Sequence, residues 1–122
     1  IRGILRECRR ILAADGMMSM LVDYQDHYSY FDRTITPYNF LRYSEGDWRF
    51  FNPALHYQNR LRHSDYVRLF EESGFRILEV QPSPVGDSDL SALRSVPLAT
   101  PFAAYAAQDL AIRDARFVLT KG

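Results

Sequence analysis

One cysteine in 122 residues excludes an internal disulfide, so packing alone must hold the chain, and a lone thiol fits a reducing, cytoplasmic setting. Charge excess is missing too. Lys plus Arg equals Asp plus Glu at 15 each, which removes the basic footprint of a nucleic-acid or membrane-surface binder. No apolar run approaches the ~20 residues that cross a bilayer, and no basic–apolar–small signal layout is present. Internal repeats, low-complexity tracts and interdomain linkers are absent as well. One domain spanning residues 1–122 is expected, without a nucleic-acid or membrane partner.

What is present is a globular composition, 47% hydrophobic and 14% aromatic, with aromatics concentrated in one place. Residues 24–63 hold all three histidines, the only tryptophan and most of the tyrosines. A connection of about forty residues far exceeds the usual loop, and such insertions are functional or disordered. Richness in aromatic rings argues against disorder. The stretch therefore reads as a folded cap carrying specificity. Within it, Thr36-Pro37 and Asn52-Pro53 each suit a helix start, predicting helices over YNFLRYS and ALHYQNRL with an irregular turn at Glu45-Gly46-Asp47.

Around the cap the pattern is that of an α/β protein. Ile1, Ile4, Leu5, Cys8, Ile11 and Leu12 recur at helical spacing opposite a set of arginines. Gly16 is expected to supply the left-handed turn after that helix. Met17 to Val22 (MMSMLV) is apolar without alternation, which fits a strand covered on both faces, as in a parallel sheet. Its end should open onto a ligand crevice, bringing out Asp23, Tyr24, Asp26 and His27. Ser64 is expected to cap a helix ending at Gly74, followed by an edge strand from Phe75 to Val80. A helical turn or two within 87–96, a helix from Phe102 to Gln108 and a strand from Ala115 to Thr120 complete the chain.

In this order, the helix ending Arg10-Ile11-Leu12 … Asp15-Gly16, the apolar strand, the insertion, the helix ending Glu71-Glu72-Ser73-Gly74-Phe75, and the closing Phe117-Val118-Leu119-Thr120-Lys121 resemble the C-terminal half of a class I, Rossmann-like S-adenosylmethionine-dependent methyltransferase. The resemblance covers nearly the whole chain through motifs that are individually weak. It implies that the three strands are the family's fifth, sixth and antiparallel seventh, with the seventh between the other two. It also implies S-adenosyl-L-methionine as cofactor and methylation of oxygen or nitrogen on a small-molecule acceptor. The family's glycine-rich loop and ribose-binding acid have no counterpart. The six glycines, Gly3, Gly16, Gly46, Gly74, Gly86 and Gly122, include no pair close enough for such a loop. No cofactor-binding residue is therefore assigned.

The chain opens inside a helical pattern without an initiator methionine, so it is expected to be part of a longer domain. The Met17–Val22 strand is expected to pair with a missing N-terminal half or with a second copy in a homodimer, because an apolar edge invites pairing. The alternative function is a non-catalytic ligand-binding or dimerisation module derived from a methyltransferase. A weaker third reading is RNA held by stacking on arginines and tyrosines.

Methyl acceptors must be positioned and, for oxygen or nitrogen, deprotonated. His27 is the first candidate base, because imidazole titrates near neutrality, and Asp26 is its orienting partner or a base itself. The two equally suit a capped turn. Tyr28, Tyr30 and Tyr38 are candidates for the acceptor wall, joined by His56 and Tyr57; rings of this kind also make a cap's own core. Arg42, Arg60, Arg62 and His63 are candidates to clamp a carboxylate or phosphate, Arg60 foremost, though most such residues are salt-bridged or solvated. His56 and His63 lack partners at zinc-site spacing, so no metal site is expected.

Overall fold

The computed structural model describes all of residues 1–122 as a small α/β domain. Its elements are α1 (Arg2–Ile11), β1 (Met17–Asp23), α2 (Glu45–Phe51), α3 (His63–Glu72), β2 (Phe75–Pro82), α4 (Asp87–Arg94), α5 (Thr100–Ala103), α6 (Ala107–Ala111) and β3 (Asp114–Lys121), with short 3-10 turns between β1 and α3. Three strands form one sheet in the order β1-β3-β2, and β3 runs antiparallel to both neighbours. The last strand is thus the central one. Met20 lies opposite Phe117 on one side of β3, and Val80 lies opposite Phe117 on the other.

One face of the sheet is covered. Val22, Ala115, Phe117 and Leu119 pack there with Leu5 of α1 and Tyr66, Leu69 and Phe70 of α3, while Met18 and Met20 flank them. Full burial of a ring such as Phe117 contributes about 2–3 kcal/mol. Arg2 reaches Glu72 at 2.7 Å and Arg9 donates to the Gly74 carbonyl at 3.0 Å, tying α1 to the end of α3. Gly74 carries the left-handed turn (φ +81°), where a Cβ would lie 2.6 Å from Arg9 Nε. Gly16 does not take the left-handed conformation expected of it.

β1 differs from its expected burial. It lies at the sheet's edge and is antiparallel to its one neighbour, with its apolar residues divided between two faces. Met18, Met20 and Val22 meet the core, but Met17 and Leu21 are 68% and 73% exposed. Hydrophobicity on both faces without cover on both is why the sequence read as an inner strand.

The cap has a core of its own. Tyr38, Phe40, Leu41 and Trp48 pack against Leu93, Val96, Phe102, Leu110 and Ala111. Segment 87–111 therefore builds the cap together with residues 24–63. The helix within the insertion is α2, placed where a turn was expected. Ser44 caps it by accepting from the Asp47 amide, and Glu45 and Asp47 favour its positive N-terminal end. The proline signals at Pro37 and Pro53 lead only to 3-10 turns, Asn39–Arg42 and Ala54–His56. Likewise α3 begins at His63, with the Asp65 carboxylate accepting the Arg62 amide. Ser64 Oγ instead donates to Asp109.

Candidate functional site

Arg62 joins the two cores. It is completely buried, donates to the carbonyls of Tyr24 (2.8 Å) and Leu110 (3.0 Å), and lies over the Tyr24 and Phe40 rings. Loss of hydration pushes its guanidinium down to about 10. His63 follows it, stacked on Phe117 with Nδ1 3.0 Å from the Tyr24 hydroxyl. Burial lowers the His63 pKa, with Asp109 acting in the opposite sense. Together these residues fix the polypeptide that leaves β1.

At the carboxyl end of β1 that polypeptide turns into a 3-10 turn, His27–Tyr30. Asp26 caps the turn and is buried, accepting from the Tyr28 amide at 2.9 Å. Burial raises its pKa, opposed by hydrogen bonds from Tyr28, Asn39 and Phe40. The carboxylate beside His27 is Asp23, the last residue of β1: its Oδ2 lies 3.4 Å from His27 Nε2. The same oxygen accepts from the Tyr30 hydroxyl at 2.6 Å, and Oδ1 accepts from the Gln25 amide nitrogens of backbone (3.0 Å) and side chain (3.2 Å). Partial burial, and then the Asp23 carboxylate, push the Tyr30 hydroxyl up to about 12.

His27 stacks on Tyr30 with ring centres 5.6 Å apart, and His56 stands edge-on to it at 6.3 Å. Tyr28 lies 6.3 Å from His56 and donates its hydroxyl to the Phe51 carbonyl. The His27 backbone amide donates to Gln58 Oε1 at 2.8 Å, while Asn52 grips the Gln58 backbone through both its amide atoms. The turn is braced by the cap beneath it. The side chains at its surface are exposed or half-buried.

The structure thus brings His27, Tyr28, Tyr30 and His56 into one cluster and leaves the other candidates elsewhere. Tyr38 belongs to the cap core, donating to the Ala111 carbonyl at 2.7 Å. Arg60 is sandwiched between Trp48 and Phe102 and is committed to the carbonyls of Phe40 and Tyr43 and to Glu45. Arg42 is exposed at the end of the 3-10 turn Asn39–Arg42. Tyr57 is exposed beside a hollow of about 910 Å³ that Arg60, Trp48, Gln58 and Tyr105 also line. None of Asp23, His27, Tyr30 or His56 borders that hollow. Charge–geometry and concavity therefore point to different places, and chemistry favours the cluster because only it sets an imidazole against a carboxylate.

Asp23 was expected at the mouth of the crevice but not as the carboxylate beside His27, although the two are four residues apart around a turn, and Gln25 was not singled out. Arg62, the most buried polar residue of all, was expected as one of the residues that could clamp an anion and is instead committed to buried backbone carbonyls.

The class defined by this architecture is a small α/β domain with a three-stranded antiparallel sheet, and it has no helix long and apolar enough to cross a membrane. No protein-family model matches the chain, and searches of curated proteins and of solved structures find no match either.

Proposed function

We propose that this chain is the acceptor-binding part of an S-adenosylmethionine-dependent methyltransferase acting on oxygen or nitrogen of a small molecule. The observation that carries the reading is the placement of the Asp23–His27 pair at the carboxyl end of an edge strand, in a sheet whose final strand lies antiparallel between the other two. Ligands of open α/β sheets sit at the carboxyl ends of strands, and a base there is within reach of an acceptor. Strand order and helix placement also agree with the resemblance of Arg10-Ile11-Leu12 … Asp15-Gly16 and Glu71-Glu72-Ser73-Gly74-Phe75 to that family.

The chain's own residues do not make a cofactor site. No glycine lies in the turn after β1, and the 910 Å³ hollow is lined largely by charged and amide side chains of α1, α3 and the cap. A floor for S-adenosylmethionine belongs to polypeptide beside β1, whose outer edge is open and whose Met17 and Leu21 stand exposed. The same edge suits pairing with a second copy, the arrangement expected of a non-catalytic module.

Calorimetric titration with S-adenosylmethionine separates the readings. The 122-residue chain should give no tight binding, and the complete product of its gene should bind. A complete product that fails to bind overturns the enzyme reading, and sedimentation of that product as a β1-dependent dimer would favour the module.

A further inference from the structure

We propose that the hollow bordered by α2, α3 and residues 57–61 binds a small aromatic monocarboxylate, held by Arg49, Tyr57 and Gln58. The proposal does not rest on the methyltransferase reading and concerns a place apart from the Asp23–His27 pair.

Most polar groups around the 910 Å³ hollow are already used. Its three acids each have an arginine: Glu72 with Arg2, Glu45 with Arg60, and Asp65 with Arg68. Asn52 is taken up by the Gln58 backbone, and Asn59 by the Tyr66 hydroxyl and the Leu61 amide. Three groups on one wall are not used. Arg49 is exposed and makes neither an ion pair nor a hydrogen bond. Tyr57 is 70% exposed, with its hydroxyl unbonded and its ring against no other ring. Gln58 is buried, and its amide nitrogen has no partner. The His27 amide donates to Gln58 Oε1, which fixes the other end as nitrogen.

These three lie together. Arg49 and Asn52 are three residues apart at the end of α2, a spacing that puts their side chains on one face. Asn52 in turn clamps Gln58 through both of its amide atoms, and Tyr57 is the residue before it. All four line the same hollow.

A cation, an N–H donor and an open ring face call for an anion, an acceptor and a flat apolar body. The guanidinium fork matches a carboxylate through two parallel hydrogen bonds. A buried N–H without an acceptor is costly, and a ligand oxygen relieves that cost. Arg2, Arg49, Arg60 and Arg68 against Glu45, Asp65 and Glu72 leave one positive charge, which one carboxylate neutralises. A phosphate dianion would bring a second negative charge beside those three acids, where like charges disfavour binding. Leu61, Leu69 and Phe102 also line the hollow and, with the Tyr57 ring, suit an aromatic body.

Nitrogen-15 amide spectra of the 122-residue chain, titrated with benzoate, benzyl alcohol and inorganic phosphate, test this. Benzoate should move the Gln58 side-chain amide and the Tyr57 backbone amide to saturation. It should bind about tenfold more tightly than benzyl alcohol or phosphate. Arg49→Gln should bring benzoate down to the level of benzyl alcohol and leave benzyl alcohol unchanged, while Tyr57→Leu should weaken both aromatic probes. The probe comparison on the parent chain stands without either variant. No shift with benzoate, shifts only at residues away from the hollow, benzyl alcohol or phosphate binding as tightly as benzoate, or an unchanged benzoate affinity in Arg49→Gln would each overturn the proposal.

Discussion

Tyr30 and Tyr38 lie in the same insertion, and each donates its hydroxyl to an oxygen, yet their surroundings are opposites. Tyr38 is 1% exposed among Phe40, Leu41, Trp48 and Leu110, and its hydroxyl ends on the Ala111 carbonyl. Tyr30 is 55% exposed, and its hydroxyl ends on a carboxylate shared with His27. In the interior of the cap the buried polar side chains reach mainly to backbone carbonyls, as Tyr38 does to Ala111 and Arg60 to Phe40 and Tyr43. At its rim the polar groups hold one another and still face water. A packed interior is what lets the rim be polar and fixed at once, because the His27 and Tyr28 backbones are pinned by Gln58 and by the turn that Asp26 caps.

The contrast breaks most sharply at Arg62. Arg62→Ala should cost about 3–5 kcal/mol in urea unfolding, since it leaves a large cavity and orphans buried carbonyls. Next comes Trp48→Ala, which should remove about 3–4 kcal/mol by emptying the cap core, with a matching fall in the thermal midpoint. Tyr38→Phe deletes one buried hydrogen bond and should cost about 1 kcal/mol.

A smaller effect comes from pH. The His63 pKa is lowered in the fold, so the unfolded chain binds its proton more readily. Its contribution to stability is present above the ordinary histidine value of about 6.5 and is lost as pH falls through the lowered folded value. Asp26, with its pKa raised, acts in the opposite sense in the carboxylate range. Unfolding midpoints compared at neutral and mildly acid pH should therefore fall less in His63→Gln than in the parent chain. At the rim, His27→Ala and Asp23→Ala should change stability by no more than about 0.5 kcal/mol, and a larger loss would show that the rim is structural after all.

Much of the sheet was legible because local pattern and burial agree there. Ser64-to-Phe75 read as helix, glycine turn and strand, and Ala115–Thr120 read as the closing strand, since hydrophobic spacing reports a covered face directly. β1 was placed correctly but its environment was not, because an apolar run does not say whether its second face has cover. In the cap, proline suggested helices at Pro37 and Pro53, but the arginines and aromatics nearby are held by tertiary contacts such as Arg60 with Tyr43, which leave room only for single turns. The real helix was signalled by Ser44 and Asp47, a weaker-looking cap. His27, Tyr28, Tyr30 and His56 were foreseen as candidates. Their partner Asp23 was overshadowed by Asp26, since adjacency in sequence is not adjacency around a turn.

Amide hydrogen exchange along β1 tests the central claim most directly, namely that this strand carries a polar rim beside an open outer edge. In the 122-residue chain, amides of Met17–Asp23 that bond to β3 should be protected and the alternate, outward-facing ones should exchange fast. Uniform protection of all of them would mean that the edge is already covered, and would contradict the account.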